Sequence, residues 1–358
     1  MTTVQVMLAD RSYPIRIRPG SLGDLGEALS KEFESQRVVV VTSPKVSDAQ
    51  FGALNTGLKR MHLSAEQLQV PDGDRAKTLR HAQKLYDGLL ELGADRQTVL
   101  IGLGGGAVCD LTGFVASTFL RGVPLVQTPT TLLAQVDASV GGKTAVNHPR
   151  GKNLIGTFYQ PKLVWIDPDV LATLPKRELR CGIAEVIKVA ALWDADFFAW
   201  LEEHIEPVIE LEREPLTHAI ARAVEIKAEI VGLDERESGL RALLNFGHTL
   251  AHAIESVNGY RKIKHGEAVS IGMVFAAGVS ESRAGLDATA SVRLEALLSR
   301  AGLATKLDDW NQQKSAYLRA MAVDKKVKAE KIGFVVLREI GRAEQISLSP
   351  EEIAAEAS

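Results

Sequence analysis

The chain has 358 residues, 46% of them hydrophobic, more than a single domain usually carries and enough for two cores. Its formal net charge of -3 gives no sign of a polyanion partner such as nucleic acid, so any basic site is local. Cys109 and Cys181 lie far apart with no CxxC spacing, which argues against a disulfide scaffold or a thiolate metal site and fits a reducing cytoplasm.

The opening MTTVQVMLADRSYPIRI alternates apolar and polar residues as a strand does, and it lacks the continuous apolar stretch of a signal peptide. No run approaches the roughly 20 apolar residues of a membrane helix. RVVVVTS, LQVPDGD, TVLIGLGGG, LVQTPTT and LVWIDP read as strands alternating with helical stretches such as KTLRHAQKLYDGLLELGA. That rhythm predicts an α/β fold: a Rossmann-like N-terminal domain over residues 1–170 with a mostly parallel sheet. From about Leu171 long 3.6-period stretches take over, predicting a mainly α-helical C-terminal domain over 171–358. No linker rich in Pro, Gly or Ser separates the two, so the expected active site is the cleft between them.

In TVLIGLGGGAVCDLTGF a glycine cluster joins a strand to a helix, where backbone N–H groups can receive a pyrophosphate. Gly102, Gly104 and Ala107 fit a G-x-G-x-x-A form, but no acidic residue follows about 20 positions on. Dinucleotide binding and a plain tight turn both stay open. TPTTLLAQVDASVGGKTAVNHPRGKN then gathers Thr130, Thr131, Asp137, Lys143, Lys152 and Asn153 around Gly141, Gly142 and Gly151. Small residues there permit close backbone approach, and the lysines supply point charges for phosphate or carboxylate.

In the second half, GIAEVIK places Glu185 and Lys188 three apart on one helix face. ERESGLRALLNFGHTLAHAIES reads as a helix on which Arg241, Asn245, His248 and His252 form one polar stripe, with Gly247 in its interior, at a cost of about 1 kcal/mol, to let something come close. His248 and His252, four apart, with His265 of KIKHGEAVSIG and a carboxylate from another helix, offer three or four metal ligands. Spacing alone favours His248 with His252. The absence of HExxH leaves a zincin protease unsupported. Lys325 and Lys326 precede a strand-like run, and PEEIAAEAS reads as a frayed helix end.

Taken in order, GGGAVCDLTGFVASTFLRG, TPTTLLAQVDASVGGKTAVNHPRGKNLIG, FYQP, TLPKREL, GIAEVIK, DERESGLRALLNFGHTLAHAIE, KHGEAVSIGM and DKK closely resemble 3-dehydroquinate synthase, a family of the sugar-phosphate cyclases, from about Pro71 to Leu337. The resemblance implies a divalent metal, zinc or cobalt, on Glu185, His248 and His265. It implies NAD against Gly105, Gly106, Asp110, Thr130, Thr131, Lys143, Lys152, Thr173 and Leu174, with Asp74 and Lys77 at the adenosine ribose. Around phosphate it puts Lys143, Asn153, Asn245, His252 and one of Lys325 or Lys326. Lys227 and Arg241 meet the substrate carboxylate, while Asp137, Lys188 and Glu237 hold hydroxyls and water. The catalytic set is Asp137, Lys143, Lys188, Glu237 and His252. Asp74 stands where the family usually has Glu, and Ser43 where it has an acid or Asn, so weaker NAD binding is expected.

The implied reaction converts 3-deoxy-D-arabino-heptulosonate 7-phosphate into 3-dehydroquinate and phosphate, by transient oxidation, phosphate elimination, reduction, ring opening and aldol closure. A cytoplasmic homodimer is implied, with Arg121 reaching the neighbouring subunit's substrate, and neither nucleic acid nor membrane as a partner. The rival readings are a cyclase of secondary metabolism, a metal-dependent polyol dehydrogenase, and a non-catalytic sugar-phosphate-binding protein.

Overall fold

A computed structural model describes residues 1–34, 37–259, 262–324 and 331–356. The chain divides into two compact units, one of Met1–Pro175 with Lys227–Arg236, the other of Lys176–Ile226 with Glu237–Ser358.

The first unit is α/β. Its strands are β1 (Thr2–Val6), β2 (Tyr13–Ile17), β3 (Arg37–Thr42), β4 (Ser64–Gln69), β5 (Val99–Gly104), β6 (Leu125–Pro129), β7 (Lys143–His148), β8 (Gly151–Phe158) and β9 (Leu163–Ile166). Seven of them form one sheet in the order β1-β2-β9-β6-β5-β3-β4. Only the β1–β2 pair is antiparallel, so the sheet is mainly parallel, as expected. RVVVVT shows why. Val39 and Val41 join an apolar cluster with Leu100, Leu111 and Val115, whereas Val38 and Val40 join another with Leu54, Leu58 and Ile101. A strand buried on both faces reads as a continuous apolar run. The covering helices are α1 (Leu25–Glu32), the single turn α2 (Pro44–Val46), α3 (Gly52–Arg60), α4 (Leu79–Glu91) and α5 (Gly106–Thr118). The glycine-rich segment after β6 forms the separate antiparallel hairpin β7–β8.

The second unit is mainly helical: α6 (Lys176–Trp193), α7 (Ala195–Ile209), most of α8 (Arg213–Leu233), α9 (His248–Val257), α10 (His265–Ala284), α11 (Ala288–Arg300), α12 (Trp310–Asp324) and α13 (Pro350–Glu356). A hairpin of β10 (Ile332–Glu339) and β11 (Arg342–Leu348) adds a small sheet; β10 is the strand-like run that follows Lys325 and Lys326 in sequence, and β11 is the part that the mainly helical reading of this half leaves out. The expected single helix around Arg241 and His252 is two pieces. Leu240–Asn245 is a 3-10 turn, and α9 starts only after Gly247, whose φ of +77° is left-handed. Gly247 thus stands before the helix, where glycine tolerates the left-handed region without the interior penalty. Close approach was the correct part of that expectation: a Cβ on Gly247 would lie 2.8 Å from the Met273 backbone nitrogen of α10. No helix among the described residues is long and apolar enough to cross a membrane.

Candidate active site

Three helices of the second unit bring the metal candidates together. Gly266, the second residue of α10, packs on α6, where an added Cβ would sit 2.6 Å from the Cys181 carbonyl oxygen. Gly272, less than two turns on, packs on Gly247 just ahead of α9. These contacts draw the first residues of α9 and α10, His248 and His265, toward Glu185 of α6. One ligand atom from each of Glu185, His248 and His265 lies within 4.8 Å of the others. His248 Nε2 is 3.7 Å and His265 Nε2 3.5 Å from Glu185 Oε1. Donors about 2.1 Å from a tetrahedral zinc would be roughly 3.4 Å apart, so the spacing suits such an ion.

The electrostatics suit it too. Glu185 is 2% exposed, and its Oε1 has no hydrogen-bond partner, a costly arrangement for a buried carboxylate unless a cation completes it. Its Oε2 takes Lys188 Nζ at 2.5 Å. Burial alone would raise the Glu185 carboxyl, but Lys188 and the two imidazoles outweigh it and hold the group well below its ordinary range. Burial, then Lys188, pushes His248 well down, leaving it neutral and able to ligate. For His265, burial is outweighed by Glu185 and Glu255, which push it up to about 10. A cation at Glu185 would take the place of that proton.

His252 lies one turn beyond His248, with ring centroids 5.4 Å apart, and is outside the trio that spacing would have split. Asn245 Nδ2 donates to Glu237 Oε1 at 3.0 Å, and Arg241 is buried at 2% exposure in the 3-10 turn. Glu255, missed in the sequence, stands 3.6 Å from His265 Nδ1. Its signal was present: after spacings of 4, 3 and 4 from Arg241 to His252, Glu255 is the next step of three.

In the first unit, β5 ends at Gly104 and α5 starts at Gly106, with Gly105 as an N-cap that no side chain satisfies. A Cβ at Gly105 would come 3.0 Å from Thr131 Cγ2, so the turn is narrow and its amide-rich helix start open to an anion. Thr130 N–H donates to the Gly104 carbonyl at 2.9 Å. One turn into α5, Asp110 accepts from Lys77 Nζ, which also donates to Asn153 Oδ1 at 2.5 Å. Burial pushes the Asp110 carboxyl up against the pull of Lys77. Lys152 pairs with Asp74 at 2.8 Å, and Thr173, next to Leu174, accepts from Gln50 at 3.1 Å. Ser43 is buried at the start of α2.

Lys227, in the part of α8 that belongs to this unit, donates to the Asp137 carbonyl at 2.5 Å and to its carboxylate. Lys143 opens β7 and is exposed. Arg121 is exposed after Leu120, with φ of +67° and +49° respectively. Two successive non-glycine residues in that region cost roughly 1–3 kcal/mol each, strain that usually marks a functional segment. Lys325 and Lys326 lie outside the described residues.

Comparison with known proteins shows the family of the chain. Residues 67–181 match the model of the 3-dehydroquinate synthase N-terminal family, and residues 182–327 that of the 3-dehydroquinate synthase C-terminal family. The chain is 44% identical over 353 residues to a 3-dehydroquinate synthase of Thermoanaerobacter pseudethanolicus, covering 99% of both. It is 49% identical over 343 residues to that of Nitrosococcus oceani, covering 96% of this chain and 94% of the relative. Among solved structures it is similar to 2-epi-5-epi-valiolone synthase from Streptomyces hygroscopicus with NAD+ and Zn2+ bound, at TM-score 0.85 and 27% identity, covering 96% and 95% of the two chains. With both family models matched in succession and relatives similar over nearly their whole length, the chain belongs to the 3-dehydroquinate synthase family.

Proposed function

We propose that the protein is a phosphorus–oxygen lyase that converts 3-deoxy-D-arabino-heptulosonate 7-phosphate into 3-dehydroquinate and inorganic phosphate, using NAD and one divalent metal ion, zinc or cobalt. The observation that carries this is the Glu185–His248–His265 trio, whose buried carboxylate turns an oxygen without a hydrogen bond toward both imidazoles, in a chain 42–49% identical to its relatives. One carboxylate and two imidazoles leave coordination positions open for substrate hydroxyls. When bound, the metal acidifies an alcohol and NAD accepts and returns a hydride.

The chain's own residues bind, orient and hold protons. Lys188, one turn along the same helix α6, keeps the buried Glu185 ionised. Lys143, Asn153, Asn245, His252 and one of Lys325 or Lys326 take the phosphate, and Lys227 with Arg241 the carboxylate, a local set of cations in a chain of net charge -3. Asp137 and Glu237 hold hydroxyls and water. For NAD, the Gly105–Gly106 turn receives the pyrophosphate, flanked by Asp110, Thr130, Thr131, Lys143, Lys152, Thr173 and Leu174, with Asp74 and Lys77 at the ribose. The zinc- and NAD-bound valiolone synthase supports the cofactor assignment. We place the enzyme in the cytoplasm as a homodimer with Arg121 facing the neighbour's substrate.

The test is release of phosphate from the heptulosonate phosphate with and without NAD and chelator. Release that needs both NAD and metal, without growth of absorbance from reduced nicotinamide, is expected. Stoichiometric NADH formation would instead make the protein a polyol dehydrogenase.

A further inference from the structure

We propose that Glu255 is a positioning residue that orients His265 for metal binding, an assignment that rests on the metal-dependent reading above. The two histidines of the trio share one design. His248 Nε2 faces Glu185, and its Nδ1 is held by the Phe246 carbonyl at 3.2 Å. His265 Nε2 also faces Glu185, and its Nδ1 lies 3.6 Å from Glu255 Oε1, at ion-pair range. A ligating imidazole needs its second nitrogen fixed by an acceptor, which sets both the ring plane and the tautomer.

His265 needs this more than His248. Its side chain is 30% exposed against 12% for His248, so packing confines the ring less. The start of α10 is fixed separately: Glu267 accepts from the Lys264 backbone at 2.8 Å and pairs with Arg177 at 2.6 and 2.7 Å. What these contacts leave unset is the rotation of the imidazole, and the buried Glu255 carboxylate of α9 lies on the side that sets it.

The experiment titrates Zn2+ into metal-stripped full-length protein against a chromophoric chelator, for wild type, Glu255→Gln, Glu255→Ala and His265→Ala. Circular dichroism and thermal unfolding of the metal-free forms run in parallel. Glu255→Ala should weaken zinc binding about ten- to hundredfold. Glu255→Gln, which keeps an acceptor oxygen and the same shape, should bind between Ala and wild type while staying folded in the metal-free form. With Co2+ as probe, both variants should shift the visible absorption bands. Should Glu255→Ala fail to fold, the Gln variant alone decides. Wild-type zinc affinity and cobalt spectrum in folded Glu255→Gln and Glu255→Ala, with affinity lost in His265→Ala, would overturn the role of Glu255 and leave the metal trio standing. Equal zinc binding by wild type and His265→Ala would overturn both.

Discussion

Gly266 and Cys181 meet backbone to backbone, and that contact fixes how near His265 comes to Glu185. A methyl group at Gly266 must push α10 off α6. Gly266→Ala is therefore expected to destabilise the metal-free protein by about 1–3 kcal/mol and to lower bound zinc. Gly278→Ala on the same helix, where a Cβ meets nothing within 4 Å, should gain up to about 1 kcal/mol in helix propensity and keep its metal. Thermal unfolding and metal analysis of the pair check this, and equal behaviour of the two variants would refute it.

Lys188 and Glu185 are 3% and 2% exposed, so removing the lysine leaves a buried carboxylate without its main counter-charge. Lys188→Met should cost the metal-free protein about 3–5 kcal/mol at pH 7. The sign with pH follows. Lys188 holds Glu185 below its ordinary 4.5, so the pair contributes stability above that value and loses it as pH falls. The gap between variant and wild type should be widest near neutrality and narrow on acidification. Urea unfolding at pH 4 and pH 7 measures it; identical midpoints at pH 7 would be inconsistent with the pairing.

Because His265 is pushed up to about 10 while His248 is held neutral and Glu185 ionised, zinc binding at pH 7.5 should expel about one proton, from His265. Calorimetric titration in buffers of different ionisation enthalpy gives the number directly. No release, or loss of release that does not follow His265→Ala, would argue against this protonation pattern.

Arg121→Ala should weaken substrate binding while fold and metal content stay intact, since the side chain is exposed on a strained turn. Mixing that variant with Lys143→Ala should restore part of the activity, because one site in a mixed dimer has both residues. Verified mixed dimers without recovery would exclude a shared site.

The sheet was legible because strands covered on both faces write themselves as apolar runs, as in Val38–Val41. The break between Asn245 and His248 was not, because the apolar spacing runs on across the 3-10 turn and a positive φ at Gly247 leaves no mark in periodicity. Spacing paired His248 with His252, neighbours on one helix. What selects His265 instead is the approach of α10 to α6 and α9 at Gly266 and Gly272, a tertiary fact that no local pattern records. The family resemblance named the three residues that the structure brings together, where spacing could not.

The end of α8 has a consequence for synthesis. Lys227 pairs with Asp137, Glu235 binds both Arg11 and Gln160, and Gly232 rests near Met7, all within the first unit. That unit is thus discontinuous in the chain, and residues 176–226 must leave the ribosome before its last segment exists. At about 5–20 residues per second, the N-terminal sheet waits for seconds with Asp137 and Arg11 lacking those partners. A fragment ending at Pro175 would hold that unfinished state permanently, so it is a poor choice for expressing the first unit alone, whereas a fusion that replaces residues 176–226 with a short linker and so joins 1–175 to 227–236 would complete it.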